Sequence, residues 1–513
     1  MRGWTTVALG AAALGLLGVQ SAGAVSPAAC AARINNTEKK LLECVTLQGV
    51  REHQRQLQNI ANRSDNRRFA GLPGHERSAA YVARLLREAG YAVRLQRFDY
   101  LAATPVGPSA LEQTAPTATT YEEGTDFLVA DQSEPGDVTG AVKAVDLQLG
   151  LGNTSTSGCE AADFAGFPTG AIALIQRGSC DFRVKAENAA NAGAAGAVIF
   201  NQGNLDTPDR QDLFLGTLGA EYSGDIPVVM TSYDLGATFA NTDGLTLRLF
   251  ANVIRRSLST ANVLAETRGG RADNVVMVGA HLDSVYEGPG INDNGSGSAA
   301  ILETALQMKN VIPRNKVRFA WWTAEEAGLV GSTHYVESLS TAQKINIALY
   351  LNFDMVGSPN PGRFVYDGDG SGFGTPGPLG SGPIERFFTN FYKARGLASR
   401  PTAFDGRSDY GPFIAEGIPA GGLFTGAEDI KTAEEARLFG GTAGEAFDPC
   451  YHQACDDFRN VDLPVLSLNA DAIAAATLRY AMSTTDINGL RIAGKSAAKK
   501  LKNTERRGHL FVR

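Results

Sequence analysis

The chain has 513 residues, of which 43% are hydrophobic and 20% are charged, the composition of a globular protein. This length is too great for one ordinary hydrophobic core, so we expect two or three domains. The formal net charge of −7 argues against a nucleic-acid partner.

The first 24 residues have the pattern of a signal peptide. Arg2 supplies the positive start, the apolar run 7–19 is too short to span a bilayer, and Ala22-Gly23-Ala24 fits the small-x-small cleavage rule. We therefore predict cleavage after Ala24 and a secreted protein, extracellular or periplasmic. A retained membrane anchor is the alternative. No later stretch is apolar for long enough to cross a membrane, so no span is expected after signal removal.

The six cysteines support export, because an even number in a chain with a signal peptide indicates disulfides. Six cysteines allow fifteen connectivities. The simplest pairing joins sequence neighbours: Cys30 with Cys44, Cys159 with Cys180, and Cys450 with Cys455.

The periodicity changes twice along the chain. Residues 35–90 look mainly helical, and a strand candidate follows at 91–95. Residues 105–125 are rich in Pro, Thr and Ala, which suggests a linker or crossing point. The block that follows, up to about residue 250, has short apolar strands at 171–175 and 197–200 around a helix at 184–194, and it indicates a separate β-rich domain.

From residue 262 onward, apolar strands alternate with helices. Strand candidates lie at 275–279, 317–322, 347–353 and 418–424, and helical segments at 298–309 and 463–482. This alternation predicts an α/β fold with a mostly parallel sheet covered by helices on both faces. Ligands of such folds bind beyond the carboxyl ends of the strands.

The predicted organisation has five parts: a signal peptide (1–24), an N-terminal part of the main domain (25–120), an inserted β-rich domain (121–255), the remaining main domain (256–488) and a basic tail (489–513). The tail has eight Lys or Arg and one acid, Glu505. We expect it to be disordered or processed, with surface adhesion as the alternative.

Metal-ligand residue types follow three of these strands and occur in two loops. They are His281, Asp283, Asp293, Glu325, Glu326, Asp354 and His452. Each alone has an ordinary explanation, such as a structural hydrogen bond, a solvated helix start or a helix cap. Together they would place many charges at one sheet edge, which is costly without a cation. Imidazole and carboxylate ligands suit zinc. Five ligands among these seven residues would exceed the four that one tetrahedral ion binds. Two metals that share one bridging carboxylate would use all five, and this arrangement is predicted.

These residues lie in motifs that closely resemble the secreted di-zinc aminopeptidases of the bacterial leucyl aminopeptidase and aminopeptidase Y type. The motifs are His281-x-Asp283, Asn292-Asp293-Asn294-Gly295, Ala324-Glu325-Glu326-x-Gly328-Leu329-x-Gly331-Ser332, Asn352-Phe353-Asp354-Met355 and Cys450-Tyr451-His452. The resemblance covers residues of roughly 50–105 and 262–485. The inserted block resembles a protease-associated domain through residues 171–182, Lys185 and 189–197, and we expect no catalytic residue there.

The resemblance implies the zinc exopeptidase fold and two Zn²⁺ ions. Asp293 would bridge the two ions. His281 and Asp354 would complete one site, and Glu326 and His452 would complete the other.

The resemblance also implies catalytic and substrate-binding roles. Glu325 would be the general base that takes a proton from the attacking water and passes it to the leaving amine. Asp283 would orient the ring of His281, and the Tyr451 hydroxyl would stabilise the oxyanion. Arg407, in Gly406-Arg407-Ser408-Asp409, would line the substrate cleft; a structural salt bridge is its alternative. Tyr410 follows, where this motif often continues with His.

Several functions are compatible with such a site. The predominance of acids around the motifs favours a metallo-aminopeptidase that acts on the N-termini of peptides or proteins. The alternatives are a dipeptide-releasing enzyme or carboxypeptidase of the same fold, a single-zinc glutaminyl cyclase, and a non-catalytic binding protein, which would be expected to lack metal ligands. The side-chain preference, calcium binding and the oligomeric state stay open.

Overall fold

The computed structural model describes residues 25–489. The predicted signal peptide (1–24) and all but the first residue of the predicted basic tail (490–513) lie outside the described residues. The first described segment is mainly helical, as predicted, and leads into a long strand. Its elements are α1 (Pro27–Ala32), α2 (Glu38–Leu42), α3 (Leu47–Asn62), α4 (Pro73–Glu88) and β1 (Ala92–Pro105).

The next segment forms a sheet of its own. Its elements are β2 (Ala110–Ala115), β3 (Thr119–Tyr121), β4 (Phe127–Val129), β5 (Gly136–Val145), a 3-10 turn (Ala161–Phe164), β6 (Ile172–Gln176), α5 (Phe182–Asn191), β7 (Gly196–Phe200), α6 (Pro208–Gln211), β8 (Val228–Thr231), α7 (Tyr233–Ala240) and β9 (Thr246–Ala251). The strand order is β3-β2-β9-β5-β6-β7-β8-β4. Of the two alternatives for 105–125, the crossing point agrees with the structure, because the chain passes from β1 to the second sheet there; the linker is wrong, because β2 and β3 form a hairpin at the edge of this sheet. β3 has only three residues, and β2 buries a single apolar side chain, Leu111, so neither gives a clear period-2 pattern.

The remaining elements return to the first sheet. They are β10 (Val253–Glu266), β11 (Arg271–His281), α8 (Gly295–Met308), β12 (Asn315–Trp322), α9 (Val330–Glu337), α10 (Thr341–Asn346), β13 (Ile347–Phe353), β14 (Phe364–Tyr366), α11 (Ser381–Lys393), β15 (Arg400–Thr402), α12 (Gly411–Ala415), β16 (Ala420–Phe424), α13 (Ala433–Phe439), α14 (Leu463–Met482) and α15 (Thr485–Asn488).

The first sheet has the order β1-β10-β12-β11-β13-β16-β14-β15. Its four central strands, β12, β11, β13 and β16, run parallel to one another, whereas the outer strands make it mixed. The central strands are continuous apolar runs because helices cover both faces, with one core cluster on each face. The predicted α/β fold, a mostly parallel mixed sheet flanked by helices, is confirmed.

A two-stranded ribbon connects the two sheets. β1 and β10 pair antiparallel over their whole length, from Ala92 opposite Glu266 to Pro105 opposite Val253. One end of this ribbon belongs to the first sheet, and the chain enters and leaves the second sheet at the other end. The second sheet is therefore inserted into the first domain.

Three disulfides join the sequence-neighbouring cysteines. They are Cys30–Cys44 beside α1 and α2, Cys159–Cys180 in the inserted domain, and Cys450–Cys455 in the loop before α14. Between residues 25 and 489, no helix is long and apolar enough to cross a membrane.

Candidate active site

Three adjacent parallel strands deliver the predicted residues to one edge of the first sheet. His281 is the last residue of β11, Glu325 and Glu326 follow β12, and Asp354 directly follows β13. Because β12, β11 and β13 are neighbours with the same direction, their carboxyl ends converge. Asp293 joins them from the loop that leads into α8.

The seven predicted residues form one compact cluster with Asp293 at its centre. The Asp293 Oδ1 atom lies 3.1 Å from His281 Nε2, and Oδ2 lies 3.4 Å from His452 Nε2. His281 Nε2 also lies 3.2 Å from Asp354 Oδ1, and His452 Nε2 lies 3.1 Å from Glu326 Oε2. The two carboxylate oxygens of Asp293 therefore face two different histidines, each of which has a further carboxylate partner.

The backbone is locally strained next to three of these residues. Ala324, Met355 and His452 have φ angles of 52°, 45° and 57°, in the left-handed region that non-glycine residues rarely adopt. Such conformations cost about 1–3 kcal/mol each and cluster at functional sites, where surrounding contacts hold them. Here they redirect the chain directly before Glu325, directly after Asp354 and at His452 itself.

The loop that carries Asp293 is held by a residue that the sequence reasoning missed. Asp456 accepts hydrogen bonds from the backbone N–H groups of Asn292 and Asp293, at 2.8 and 2.9 Å. On the other side, Asn294 caps α8 through Gly297 N and donates to the Phe353 carbonyl at 2.9 Å. The only sequence signal for Asp456 is its place next to Cys455, in the same loop as His452.

A buried hydrogen-bond chain supports Asp354. The Ser408 hydroxyl donates to Asp354 Oδ2 at 2.6 Å and accepts from Asn352 Nδ2 at 2.8 Å. Asn352 in turn accepts from the Tyr350 hydroxyl, which accepts from Trp322 Nε1, both at 2.8 Å. Ser408 belongs to the motif noted for Arg407, but this contact with Asp354 was not predicted.

Asp283 contacts the backbone of Glu325 and Glu326 in addition to the His281 ring, the contact that was predicted for it. Its Oδ1 lies 3.7 Å from His281 Nδ1, an ion-pair distance beyond hydrogen-bond length. Its two oxygens also accept the backbone N–H groups of Glu325 and Glu326, each at 3.4 Å. Asp283 therefore links the end of β11 to the segment that carries the two glutamates.

The cluster concentrates negative charge in a buried environment. Burial raises the pKa of Glu326 to about 7 and that of Asp409 to about 8, and it raises the pKa of Glu325 well above its usual range. Neighbouring carboxylates add to each shift. Asp293 differs: although burial disfavours its charge, hydrogen bonds from His281 and His452 lower its pKa.

This donor set fits divalent cations. Glu326 Oε1 is buried and meets no hydrogen-bond donor, although its other oxygen faces His452. A cation would offset the burial and the carboxylate repulsion that together raise these pKa values, and it would satisfy that oxygen. One ligand atom each of His281, Asp293 and Glu326 lies within 4.8 Å of the others, and the same holds for His281, Glu325 and Asp354.

Arg407 and Tyr451 lie beside this cluster. The Arg407 guanidinium forms an ion pair of 2.8 Å with Glu428 and lies 3.4 Å from the Tyr451 hydroxyl. The negative charge of Glu428 raises the Arg407 pKa well above its ordinary value. The Tyr451 ring stacks on the His452 ring with centroids 3.8 Å apart, and burial raises the Tyr451 pKa, so its hydroxyl is a neutral donor.

The inserted domain contacts the site through a loop. Ala220 N donates to the Ala327 carbonyl at 2.9 Å, one residue beyond Glu326. Thr217, in the same loop, is anchored to Asp131 by a hydrogen bond of 3.1 Å. The inserted domain thus packs against the backbone that follows the two glutamates.

A histidine and carboxylate cluster at the ends of parallel strands, on a helix-covered sheet, defines a class of metal-dependent hydrolase. Peptidase family M28 matches residues 262–477, and the PA domain family matches residues 138–239. An aminopeptidase of Pseudomonas aeruginosa is 52% identical over 486 residues, 93% of this chain and 90% of that protein. The chain therefore belongs to peptidase family M28, carries a PA domain, and is a peptide hydrolase.

Two solved structures share this architecture. An aminopeptidase from Aneurinibacillus sp. strain AM-1 has a TM-score of 0.65 and 26% identity, covering 86% of this chain and 95% of that one. A zinc aminopeptidase from Bacillus subtilis has a TM-score of 0.59 and 25% identity, covering 86% and 98%. The resemblance stated from the motifs is confirmed, whereas the individual residue roles and the domain boundaries at 120 and 255 stay predictions.

Proposed function

We propose that the protein is a secreted two-zinc aminopeptidase, with each histidine of the cluster belonging to a different zinc site. The observation that carries this proposal is the division of Asp293, whose two oxygens face His281 and His452 separately. A carboxylate shared in this way is suited to bridge two cations. His281 and Asp354 complete one ligand set, and Glu326 and His452 complete the other.

The residues around the proposed ions have separable tasks. When bound, the zinc ions supply Lewis acidity, which polarises the peptide carbonyl and lowers the pKa of water. Glu325 is the general base: it accepts the proton of the attacking water and delivers it to the leaving amine. Its burial raises its pKa well above the usual carboxylate range, which favours this proton transfer at neutral pH. The Tyr451 hydroxyl donates to the developing oxyanion.

Charge supports the N-terminal end of a peptide as the substrate group. Glu428 keeps its negative charge beside Arg407, so this ion pair offers no unbalanced positive charge to a substrate carboxylate. A substrate carboxylate would need a free cation, but Arg407 is already paired with Glu428 at 2.8 Å. Among the alternatives, an aminopeptidase therefore fits better than a carboxypeptidase. The P. aeruginosa and B. subtilis relatives, called an aminopeptidase and a zinc aminopeptidase, support the same assignment.

Secretion is supported by the three disulfides, which persist in oxidising compartments. The signal-peptide pattern of residues 1–24 is consistent with that location.

Zinc content and substrate end specificity test the proposal together. Zinc per chain is measured on purified protein, and a leucyl anilide and its N-acetylated form are assayed before and after chelation. Glu325→Gln keeps the side-chain shape and is expected to retain zinc while lowering kcat by about 10²–10⁴-fold. Glu303→Gln is the matched control, because Glu303 is a buried carboxylate that pairs with His53 at 3.3 Å rather than with the cluster.

The expected result is two zinc ions, cleavage of the free-amine substrate only, and loss of activity after chelation. One zinc ion per chain would contradict the bridging role of Asp293. Cleavage of the acetylated substrate would contradict N-terminal specificity. Full activity of Glu325→Gln would contradict its role as the base.

A further inference from the structure

A second cluster of carboxylates lies at the far side of the first sheet, in the loop between β14 and α11. Asp367 directly follows β14, Asp369 lies two residues later, and Glu385 projects from α11. One carboxylate oxygen of each lies within 4.8 Å of the others. None of the three belongs to the proposed zinc sites.

One oxygen of this cluster has no partner. Asp367 is fully buried, and its Oδ2 accepts the backbone N–H groups of Gly372 and Phe373 at 3.0 and 2.8 Å. Its Oδ1 is also buried and meets no hydrogen-bond donor. Leaving a buried charged acceptor unsatisfied costs at least about 1–3 kcal/mol, so this oxygen is suited to accept a cation.

The surroundings do not supply that partner. Within the described part of the chain, no Lys or Arg forms an ion pair with Asp367, Asp369 or Glu385. Glu385 is only 8% exposed, and burial together with the charges of the two aspartates raises its pKa. Hydrogen bonds from Ser371 and the charge of Arg386 lower the pKa of the exposed Asp369, whereas the buried Asp367 and Glu385 have no basic ion-pair partner among the described residues.

The ligand chemistry and spacing suit calcium. Ca²⁺ binds six to eight oxygens at about 2.3–2.6 Å, so two oxygens on one ion lie up to about 5 Å apart. The 4.8 Å limit of this cluster falls within that range. The segment Asp367-Gly-Asp369-Gly-Ser371-Gly372 also has acidic or hydroxyl side chains at alternate positions before a glycine, as in the first half of an EF-hand loop.

We propose that Asp367, Asp369 and Glu385 form a structural Ca²⁺ site that fastens the β14–α11 loop to α11. Backbone carbonyls of the loop and water supply the remaining oxygens. The site shares no ligand with the proposed zinc sites, because its residues come from the loop after β14 and from α11.

The proposed site has a structural route to the catalytic cleft. Tyr366, next to Asp367, stacks on Phe404 with ring centroids 5.2 Å apart and packs edge-on against Tyr410 at 4.6 Å. The segment between those two rings carries Arg407 and Ser408. Calcium therefore stabilises the strand end against which this segment packs.

Calcium binding is tested on full-length, zinc-loaded protein in buffer that contains zinc but no calcium. Equilibrium dialysis with ⁴⁵Ca²⁺ measures stoichiometry, and thermal unfolding is followed with and without 10 mM Ca²⁺. Dissociation constants of extracellular calcium modules are about 10⁻⁴–10⁻³ M, so 10 mM Ca²⁺ should shift the folding equilibrium by about 10- to 100-fold. The variants are Asp369→Asn, at an exposed position, and Glu385→Gln. Asp137→Asn, in an exposed ion pair of the PA domain, is the matched control.

One calcium ion should bind to the wild type and to Asp137→Asn, and binding to Asp369→Asn and Glu385→Gln should weaken by at least about tenfold. Without calcium, both variants should unfold at or above the wild-type temperature, because each removes a repelling charge. No binding to the wild type at 10 mM, or unchanged binding in both variants, would overturn the proposal. Equal stabilisation by 10 mM Mg²⁺ would overturn the assignment to calcium. Loss of zinc with intact calcium binding would affect only the catalytic proposal.

Discussion

Ser408→Ala tests how far the hydrogen-bond chain behind Asp354 contributes to the metal site. The substitution deletes one hydroxyl, which donates to Asp354 Oδ2 at 2.6 Å and accepts from Asn352 at 2.8 Å. Asp354 Oδ1 still faces His281, so the carboxylate keeps its place in the ligand set but loses the contact that sets its orientation.

The expected loss is worked from that one contact. A hydrogen bond to a charged group contributes about 1.5–3 kcal/mol. If the whole of this free energy is lost from transition-state stabilisation, because the Asp354 carboxylate is no longer held in its orientation, kcat/KM falls by about 10- to 150-fold. Zinc affinity should fall by about 10- to 100-fold, as is typical when a partner of a metal ligand is removed.

Zinc affinity is measured by competition with a chromophoric chelator, and kcat/KM with a leucyl anilide at saturating zinc. Ser157→Ala is the matched control, since it removes a buried hydroxyl that hydrogen-bonds to the Val145 carbonyl in the PA domain. Both variants should lose stability, but only Ser408→Ala should lose zinc affinity. If its zinc affinity and kcat/KM stay within about twofold of the wild type, the chain does not orient Asp354.

Three further predictions concern the support of the site and the PA domain. Asp456→Asn replaces an acceptor of two backbone N–H groups with an amide that can satisfy only one of them, so zinc affinity and stability should both fall, the latter by about 1.5–3 kcal/mol in thermal unfolding. Opening the Cys450–Cys455 disulfide, with a sequence separation of 5, should lower the free energy of unfolding by about 2 kcal/mol or less and should weaken zinc binding. Opening Cys30–Cys44, with a separation of 14, should lower it by about 3 kcal/mol and leave zinc affinity unchanged. Burial lowers the pKa of Lys185 to about 8, below the 10.5 of the unfolded chain. Between these two pH values the unfolded state binds more protons than the folded state. The stability of the PA domain should therefore rise with pH by up to roughly 3 kcal/mol across that window.

Each of these has a contradicting outcome. Wild-type zinc affinity in Asp456→Asn would show that its contacts do not position the Asp293 loop. Equal effects of the two disulfides on zinc would remove the local role of the His452 loop. Denaturant unfolding of Lys185→Met at several pH values should lack the rise seen in the wild type, and the exposed Lys143→Met should retain it; a rise that persists in Lys185→Met has another origin.

Most of the site was predictable because its residues lie next to recognisable strands. His281, Glu325 and Asp354 each end or follow a continuous apolar run, and the parallel alternation brings such ends together. The edge elements were harder. The β2–β3 hairpin was mistaken for a linker, and β14 and β15, of three residues each, were not predicted.

The residues that support the site from a distance were not predictable in this way. Asp456 is 163 residues from Asp293, and Ser408 is 54 residues from Asp354. Neither has a local pattern that distinguishes it from a surface acid or a turn serine. Only packing of the loops shows which backbone N–H or carboxylate each one meets.

The sequence by itself determined the fold class and the residues at the strand ends, because hydrophobic period and chain order decide where a parallel sheet presents its carboxyl ends. It indicated the PA insertion only through the resemblance of residues 171–197 to that domain. Only the tertiary structure decided how Asp293 divides its two oxygens between His281 and His452. That division depends on where the Cys450–Cys455 loop, which carries His452, packs against Asp293, some 160 residues earlier in the chain. Such packing is governed by non-local contacts, which produce no hydrophobic periodicity in the sequence.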